Sequence, residues 1–323
     1  MLEVVIERDR IRIGERFSVS FQRTLRIPDD GRAYPLPPGL GAFPVYRISD
    51  AGDRVPSAWR ERGGAFIPMY QREALWLGFS AASWKPNAVK VTVGGVNALS
   101  GRPDRPGLGA EPQDYLVCPD QPWLDGFNAE YGSIRQFVAM TLGLGYTIES
   151  SIMGEERHGG MEITVYEPKP GIFPDVPPVK TAPGLQRLAQ PRAGGRGEMG
   201  LGAGGVMRQR IYPDPYGVET WDFENRGGIL VHILNSECFK AITGHEPPLS
   251  PIDAAAYTRC GLPWFDLYDE EKGDIAPSAE LASARTVSQR ERELGEETEK
   301  DASVEIRDGQ VRKLGHGGPR ERE

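Results

Sequence analysis

Glycine and proline recur along the whole chain, with 40 glycines and 28 prolines among 323 residues. Neither residue suits the interior of a long helix, because glycine loses the most backbone entropy on folding and proline removes a backbone donor. The two residues follow no regular period, which excludes a collagen-like structure. The composition therefore predicts many turns joining short elements, and it argues against an all-helical bundle.

Apolar residues that alternate with polar ones between these turns indicate β-strands. Phe17, Val19 and Phe21 share one face of a predicted strand, and the stretches 88–93 and 161–166 alternate in the same manner. Further strands are predicted at 4–6, 11–13, 43–46, 74–79, 115–118, 134–140, 146–152 and 228–234. Short strands at this spacing are typical of a mainly β fold, either a sandwich or a jelly-roll-like structure.

Composition divides the chain into four predicted parts. Residues 1–167 hold most of the strands and form a β-rich domain. Residues 168–205 are rich in proline and glycine and are predicted to be a linker. Residues 206–268 form a small α+β unit, and residues 269–323 form a disordered charged tail, because no aromatic residue lies beyond position 268.

Helices are predicted only near the carboxy-terminal end. One begins at the cap residue Ser236 and ends at Gly244, and a second has Ser250 as N-cap with Pro251 at its first position. Within the tail, residues 280–294 could form at most a solvated helix.

Charge and hydropathy limit the classes of partner. The chain has 38 Lys and Arg against 46 Asp and Glu, a formal net charge of −8. Affinity for nucleic acid and anionic membranes depends on clustered cations, so neither partner is predicted. No signal peptide is recognisable, and no apolar run approaches the ~20 residues that cross a bilayer, so a cytoplasmic protein is predicted. Cys118, Cys238 and Cys260 are interpreted as reduced thiols.

The sequence predicts neither a cofactor nor a metal. Gly195, Gly197 and Gly200 match the G-x-G-x-x-G pattern, but that pattern binds a dinucleotide only between a strand and a helix. Here a proline-rich stretch precedes it. The four histidines are scattered along the chain without the spacing of metal ligands.

A polar turn between two predicted strands supports a catalytic interpretation. Glu155, Glu156 and His158 lie on this turn, and Asp125 or Glu149 could complete an acid–base site with them. Such a site would make the protein a hydrolase of a polar substrate such as a carbohydrate. The alternative, and favoured, interpretation is a charged hairpin loop.

Two tryptophan-centred stretches are the remaining candidates. Trp123 follows a proline, an arrangement that suits stacking on a sugar or covering the end of a sandwich. Trp264 and Phe265 lie in an apolar stretch that either docks the carboxy-terminal unit onto the sheet or forms an interface. Packing is the favoured role for all three residues. If the protein has a partner, they are the candidate binding residues.

The same two stretches, 121–126 and 262–268, together with 132–137, resemble a family of uncharacterised bacterial proteins. The resemblance lies within residues 113–167 and 205–268. It implies no activity, cofactor or catalytic residue.

The recognisable features of the sequence favour a binding function over a catalytic one. The chain has two tryptophan-centred stretches, a predicted linker and a charged tail, and it has no motif for a nucleophile, a metal or a phosphate. These features predict a non-enzymatic cytoplasmic binding or assembly protein with an unidentified protein partner. A homo-oligomer is left open.

Overall fold

Antiparallel strands dominate the computed structural model, which describes residues 1–176, 198–267, 272–296 and 303–314. The mainly β fold predicted from the sequence is confirmed. The strands are β1 (Val4–Ile6), β2 (Ile11–Ile13), β3 (Phe17–Thr24), β4 (Ala33–Tyr34), β5 (Gly39–Ala42), β6 (Tyr46–Arg47), β7 (Ala65–Met69), β8 (Ala74–Ser80), β9 (Asn87–Val93), β10 (Val96–Asn97), β11 (Leu116–Cys118), β12 (Trp123–Leu124), β13 (Gly126–Glu130), β14 (Ser133–Thr141), β15 (Met161–Pro168), β16 (Glu198–Arg208), β17 (Trp221–Asn235), β18 (Trp264–Leu267) and β19 (Val311–Leu314).

The helices are short and lie mostly towards the carboxy-terminal end. They are α1 (Ile48–Ala51), α2 (Ser57–Arg62), α3 (Ile148–Met153), α4 (Ser236–Thr243), α5 (Ala254–Arg259), α6 (Ala279–Ser283) and α7 (Val287–Leu294). Within the described part of the chain, no helix has the length and apolar character needed to span a membrane.

One antiparallel ladder runs through the molecule in the order β2, β3, β8, β14, β16, β17, β15 and β9. Strand β17 has 15 residues and connects the two halves of this ladder. Its first part pairs with β15, and its last residues pair with β16 and, in parallel, with β7. The backbone nitrogen of Leu2 donates to the carbonyl of Arg226 at 2.9 Å, so the start of the chain returns to β17.

The strands that alternate most clearly in sequence enclose the core as expected. Phe17, Val19 and Phe21 of β3 are buried, and so are the apolar residues of β15 at positions 161, 163 and 165. Side chains along a strand point alternately to its two faces, so an apolar–polar alternation fixes which face is buried.

Four local predictions are wrong in detail. Residues 43–45 lie between β5 and β6 rather than in a strand, and the N-cap of α4 is Asn235 rather than Ser236. Residues 146–152 do not form a strand, because helix α3 begins after Thr147, whose side chain accepts a hydrogen bond from the Ser150 nitrogen. The N-cap of α5 is Asp253 rather than Ser250, since the Asp253 carboxylate accepts from the Ala256 nitrogen at 2.6 Å. At α3 and α5, the side chain that accepts a hydrogen bond from the first turn marks where the helix begins.

Strand β16 begins at Glu198, inside the range 168–205 that the sequence predicts to be a linker. Its glycines are part of the sheet packing: a Cβ atom on Gly205 would lie 2.2 Å from the Pro28 carbonyl oxygen. These glycines permit close backbone approach rather than chain flexibility. Since β15 and β17 pair directly, the predicted parts 1–167 and 206–268 share one sheet. Residues 177–197 lie outside the described residues.

Part of the predicted tail packs on the sheet. Helices α6 and α7 occupy the stretch that the sequence marks as helical, but Leu281 and Val287 are buried rather than solvated. Glu291 of α7 is also buried and forms ion pairs with Arg26 and Arg72. Strand β19 pairs in parallel with β18 in a small carboxy-terminal α/β unit. Residues 268–271, 297–302 and 315–323 lie outside the described residues.

Candidate functional site

Glu149, one of the predicted acid–base residues, is buried on α3 and is bonded to backbone nitrogens. Its Oε1 atom accepts hydrogen bonds from the backbone nitrogens of Arg157 and His158, both at 2.8 Å. Its Oε2 atom accepts from the Gly159 nitrogen at 3.0 Å. A carboxylate that accepts from three backbone donors holds the loop in one conformation, and these donors engage both of its oxygens.

Glu156 fastens the other side of the same loop. Its carboxylate accepts from the Thr147 hydroxyl at 2.6 Å and from the backbone nitrogens of Gly143, Gly145 and Thr147. The predicted polar turn is therefore closed by two carboxylates that satisfy backbone donors. This arrangement is closer to a charged hairpin loop, the interpretation favoured from the sequence, than to an acid–base site.

The other three catalytic candidates do not complete a site. Glu155 pairs with Arg157 at 2.8 Å on the surface. The His158 side chain is exposed, and its carbonyl accepts from Arg62 at 2.9 Å. Asp125 is buried beside the sheet, where its backbone nitrogen donates to the Gln209 side chain at 2.9 Å. The hydrolase hypothesis thus gains no assembled acid–base pair from these contacts.

A strongly shifted pKa occurs at Glu73, away from any of these candidates. Burial raises the pKa of Glu73 to about 7, although Arg23 and the Tyr70 nitrogen favour the ionised form. The Arg23 Nε atom donates to Glu73 at 2.6 Å, and its Nη2 atom donates to the Leu249 carbonyl at 2.6 Å. Shifted carboxyl groups often mark active sites. The Glu73 side chain is fully enclosed, so here the raised pKa reflects the burial of a structural carboxyl group, and the ion pair with Arg23 only partly offsets it.

The described residues contain no group of three or more His, Cys, Asp or Glu side chains that could hold a metal ion. The tryptophan-centred candidates are also inaccessible. Trp123, Trp264 and Phe265 are all buried, and the Trp264 indole donates to the Thr258 hydroxyl at 3.1 Å. Burial favours the packing role for these three residues, and it leaves little of their rings open to a partner.

A different set of large apolar side chains lies outside the core, four of them exposed and one, Phe173, half-buried. Ile172, Phe173, Val176, Tyr216 and Phe223 form what we call the aromatic surface. Tyr216 and Phe223 each remain 40% exposed, Ile172 48% and Val176 75%. The Phe173 and Tyr216 ring centroids lie 5.1 Å apart, edge to face. Because Val176 is the last described residue before position 198, the surface lies at the edge of the described structure.

Buried rings support the aromatic surface from below. The Tyr216 and Trp221 ring centroids lie 6.2 Å apart, and the Phe223 and Tyr166 centroids lie 6.0 Å apart, both edge to face. Trp221 and Tyr166 are buried in one cluster on the outer face of β9, β11, β15 and β17. Rings that pack edge to face on a buried layer lose little further entropy when they bind.

Asp214 fixes this arrangement through three donors. Its Oδ2 atom accepts from the Tyr115 hydroxyl at 2.5 Å and from the Trp221 indole at 2.9 Å. Its Oδ1 atom accepts from the Tyr216 nitrogen at 2.8 Å. Burial, together with the hydrogen bond to Asp214, raises the pKa of Tyr115, so this hydroxyl remains a donor at neutral pH.

Phe223 reaches the surface through an irregularity in β17. The register between β15 and β17 shifts between Tyr166 and Glu167, and the Asp222 side chain accepts from the Glu224 and Asn225 nitrogens at 3.0 and 3.2 Å. Such a bulge turns side chains out of the regular alternation. Sequence reasoning missed this surface, because the stretch 211–225 matches no strand period and contains no known motif.

Comparisons with protein-family models, curated proteins and solved structures find no match to this chain. The resemblance to a bacterial family therefore stays a prediction. The function has to be argued from the geometry of the chain itself.

Proposed function

We propose that this chain is a non-enzymatic binding or assembly protein that holds a protein partner on its aromatic surface. The observation that carries the proposal is the exposure of Tyr216 and Phe223 above buried rings. Both are substantially exposed, and both rest on a buried layer of rings fixed by Asp214. Aromatic side chains with rigid support are enriched at the centres of protein interfaces.

The aliphatic neighbours favour a protein partner over a carbohydrate. Ile172 and Val176 are among the exposed large apolar side chains, and both belong to the aromatic surface. Aliphatic side chains add apolar area that a protein interface can bury, whereas a sugar needs a flat ring and polar groups. Large exposed apolar groups that lie together commonly mark such interaction sites.

Affinity capture from the source organism tests this proposal. We expect the wild-type chain to recover a partner that Tyr216→Ser/Phe223→Ser loses by at least about tenfold, because central aromatic residues each contribute roughly 1 to 4 kcal/mol to binding. The double variant should keep its melting temperature within about 3 °C, since both side chains are already partly in water.

The matched control is Leu249→Ser/Ile252→Ser, which removes two apolar side chains of similar exposure, at 50% and 41%. Recovery should be unchanged in this control. If the control loses the partner and the aromatic variant retains it, the binding surface lies on the 245–253 loop and the proposal is wrong. Equal recovery by both variants would also overturn it.

The oligomeric state, the cellular location and the source of the protein stay proposals. If the partner is a second copy of the chain, sedimentation of the purified protein should show a concentration-dependent dimer. Tyr216→Ser/Phe223→Ser should abolish this dimer. The cytoplasmic location and the bacterial source rest on the sequence alone.

A further inference from the structure

His232 is a titratable side chain that lies under a helix. It belongs to β17 and is only 1% exposed. Its ring stacks on the Trp59 ring of α2, with centroids 4.4 Å apart and 22° between the planes. Its Nε2 atom lies 3.1 Å from the Gly63 carbonyl oxygen. A carbonyl oxygen only accepts hydrogen bonds, so the neutral ring carries its proton on Nε2 and donates it to Gly63.

The segment that covers His232 is attached to the sheet mainly by apolar contacts. We call residues 48–62, which include α1 and α2, the α1–α2 segment. Its polar attachments lie near its two ends, where the Ile48 nitrogen donates to the Gly64 carbonyl at 3.1 Å and Arg62 donates to the His158 carbonyl at 2.9 Å. Between these ends it packs on the sheet and on α4 in one apolar cluster, made of Ile48, Ala51, Val55, Trp59, Phe66, Leu234, Phe239 and Ile242. A small apolar attachment of this kind depends on a dry contact layer.

The surroundings of the His232 ring oppose its protonation. Burial is the largest effect, and the positive charge of Arg62 acts in the same direction. The Gly63 carbonyl favours the charged ring, and so does the face of Trp59 through a cation–π contact. Burial outweighs both and lowers the pKa of His232 to about 4. The ring is therefore neutral at neutral pH.

The other titratable groups around His232 do not reproduce its response to acid. Glu162 of β15 and Glu198 of β16 lie on strands beside β17, each opposite a position two residues from His232. Glu162 is exposed, and burial raises the pKa of Glu198. A carboxyl group with a raised pKa stabilises the folded state as the pH falls, so Glu198 opposes opening in acid. Burial also raises the pKa of Tyr46 on β6, which keeps its proton. Further charged side chains on the neighbouring helices and loops are exposed, namely Asp53, Arg60, Glu61, His158, Glu237 and Lys240.

Opening of the α1–α2 segment would return the His232 ring to water, where a histidine has a pKa of about 6.5. The open state then binds a proton more readily than the closed state. Stability of the closed state is therefore lost as the pH falls from about 6.5 towards about 4. Between pH 7 and pH 5 this difference raises the equilibrium constant for opening about 20-fold.

We propose that His232 makes the attachment of the α1–α2 segment sensitive to acid: the neutral ring keeps the segment on the sheet, and protonation releases it while the strands stay paired. Release uncovers the apolar residues Phe66, Leu234 and Phe239 beneath the segment. Acidification would thus be converted into exposure of an apolar patch. This inference is independent of the aromatic surface and of any partner bound there.

Amide hydrogen exchange of the full chain at pH 7 and pH 5, corrected for the intrinsic pH dependence of exchange, tests the inference. The Trp59 and Gly63 nitrogens donate to the carbonyls of Pro56 and Trp59 at 3.0 and 2.8 Å, so their exchange reports on α2. We expect protection of residues 48–63 to fall about 20-fold between pH 7 and pH 5. Protection of β3 and β8 should change less than about threefold, because these strands do not open with the segment.

His232→Gln is the decisive variant, because its amide can still donate to the Gly63 carbonyl but cannot be protonated. Its protection of residues 48–63 should change less than about twofold between the two pH values. His232→Phe, which keeps an aromatic ring against Trp59, should behave in the same way. The matched control is His158→Gln, which removes an exposed histidine from the neighbouring loop and should keep the full 20-fold response.

Three results would overturn the inference. The first is an unchanged protection of residues 48–63 in the wild-type chain, and the second is an equal loss in wild type and in the His232 variants. The third is an equal loss in β3 and β8, which would mean that the whole chain unfolds. An NMR titration of the wild-type chain gives a check that needs no variant. The His232 ring should titrate below about pH 5, and a midpoint near 6.5 would also overturn the inference.

Discussion

Truncation of the chain after Leu267 should abolish a stable fold, although the segment it removes is rich in charge. That segment contains Leu281 and Val287, which are buried, and β19, which pairs with β18. Each buried side chain of this size contributes about 1.5 to 3 kcal/mol. The segment also contains Glu291, and removal of one partner from a buried ion pair costs about 3 to 5 kcal/mol. The sum approaches the ~5 to 15 kcal/mol that stabilises a domain.

Soluble yield and the melting temperature of the truncated chain would measure this effect. A chain ending at Leu314 is the control, because residues 315–323 contain no apolar side chain larger than proline. It should melt within about 2 °C of the full chain. If the chain ending at Leu267 were equally soluble and equally stable, α6 and α7 would not be packed as the structure places them.

Glu149→Ala should lower the melting temperature by on the order of 10 °C. The substitution leaves the nitrogens of Arg157, His158 and Gly159 without their acceptor in a mostly buried position. Hydrogen bonds to a buried carboxylate are worth about 1.5 to 3 kcal/mol each, and partial rescue by water would leave a net loss of about 3 to 5 kcal/mol. The substitution is therefore expected to lower the free energy of unfolding, because Glu149 stabilises the folded loop.

Glu155→Ala is the matched control for this prediction. Glu155 lies on the same loop and pairs with Arg157 on the surface, so its removal should cost less than about 1 kcal/mol. Thermal melting of the two variants would decide between a structural and a catalytic role. A Glu149→Ala variant as stable as wild type would show that the carboxylate does not hold the loop and would restore it as a catalytic candidate.

The sheet could be predicted where side chains alternate strictly. Strands β3, β9 and β15 were expected from residues 17–21, 88–93 and 161–166, because side chains alternate between the two faces of a strand, although β9 is buried on both faces. The helix around 236–243 was expected, and it forms as α4 with Gly244 after its last residue, although its N-cap is Asn235 rather than the predicted Ser236. In these elements the local sequence and the tertiary environment favour the same structure.

Other elements depend on contacts that the sequence does not reveal. Helix α7 buries Val287, Ser288 and Glu291, while its remaining surface is charged, so its composition resembles that of a solvated segment. Strand β16 is rich in glycine because neighbouring backbones approach it closely, a reason that only the fold discloses. Tertiary contacts override composition in both cases.

The candidate site was predicted least well, for a similar reason. Trp123, Trp264 and Phe265 attract attention as aromatic residues, yet they are buried. Tyr216 and Phe223 are separated by the buried Trp221, and their common exposure follows from the β17 bulge and from Asp214. No spacing rule predicts that a turn will expose one aromatic ring and bury its neighbour.

Site-specific photo-crosslinking tests the central claim, that the aromatic surface is where a protein partner binds. A benzophenone amino acid would replace Tyr216 in one chain and Leu249 in another, and each chain would be irradiated in cells of the source organism. We expect a discrete protein adduct from position 216 that Phe223→Ser removes, and no adduct from position 249. An adduct from position 249 alone, or none from position 216, would contradict the claim.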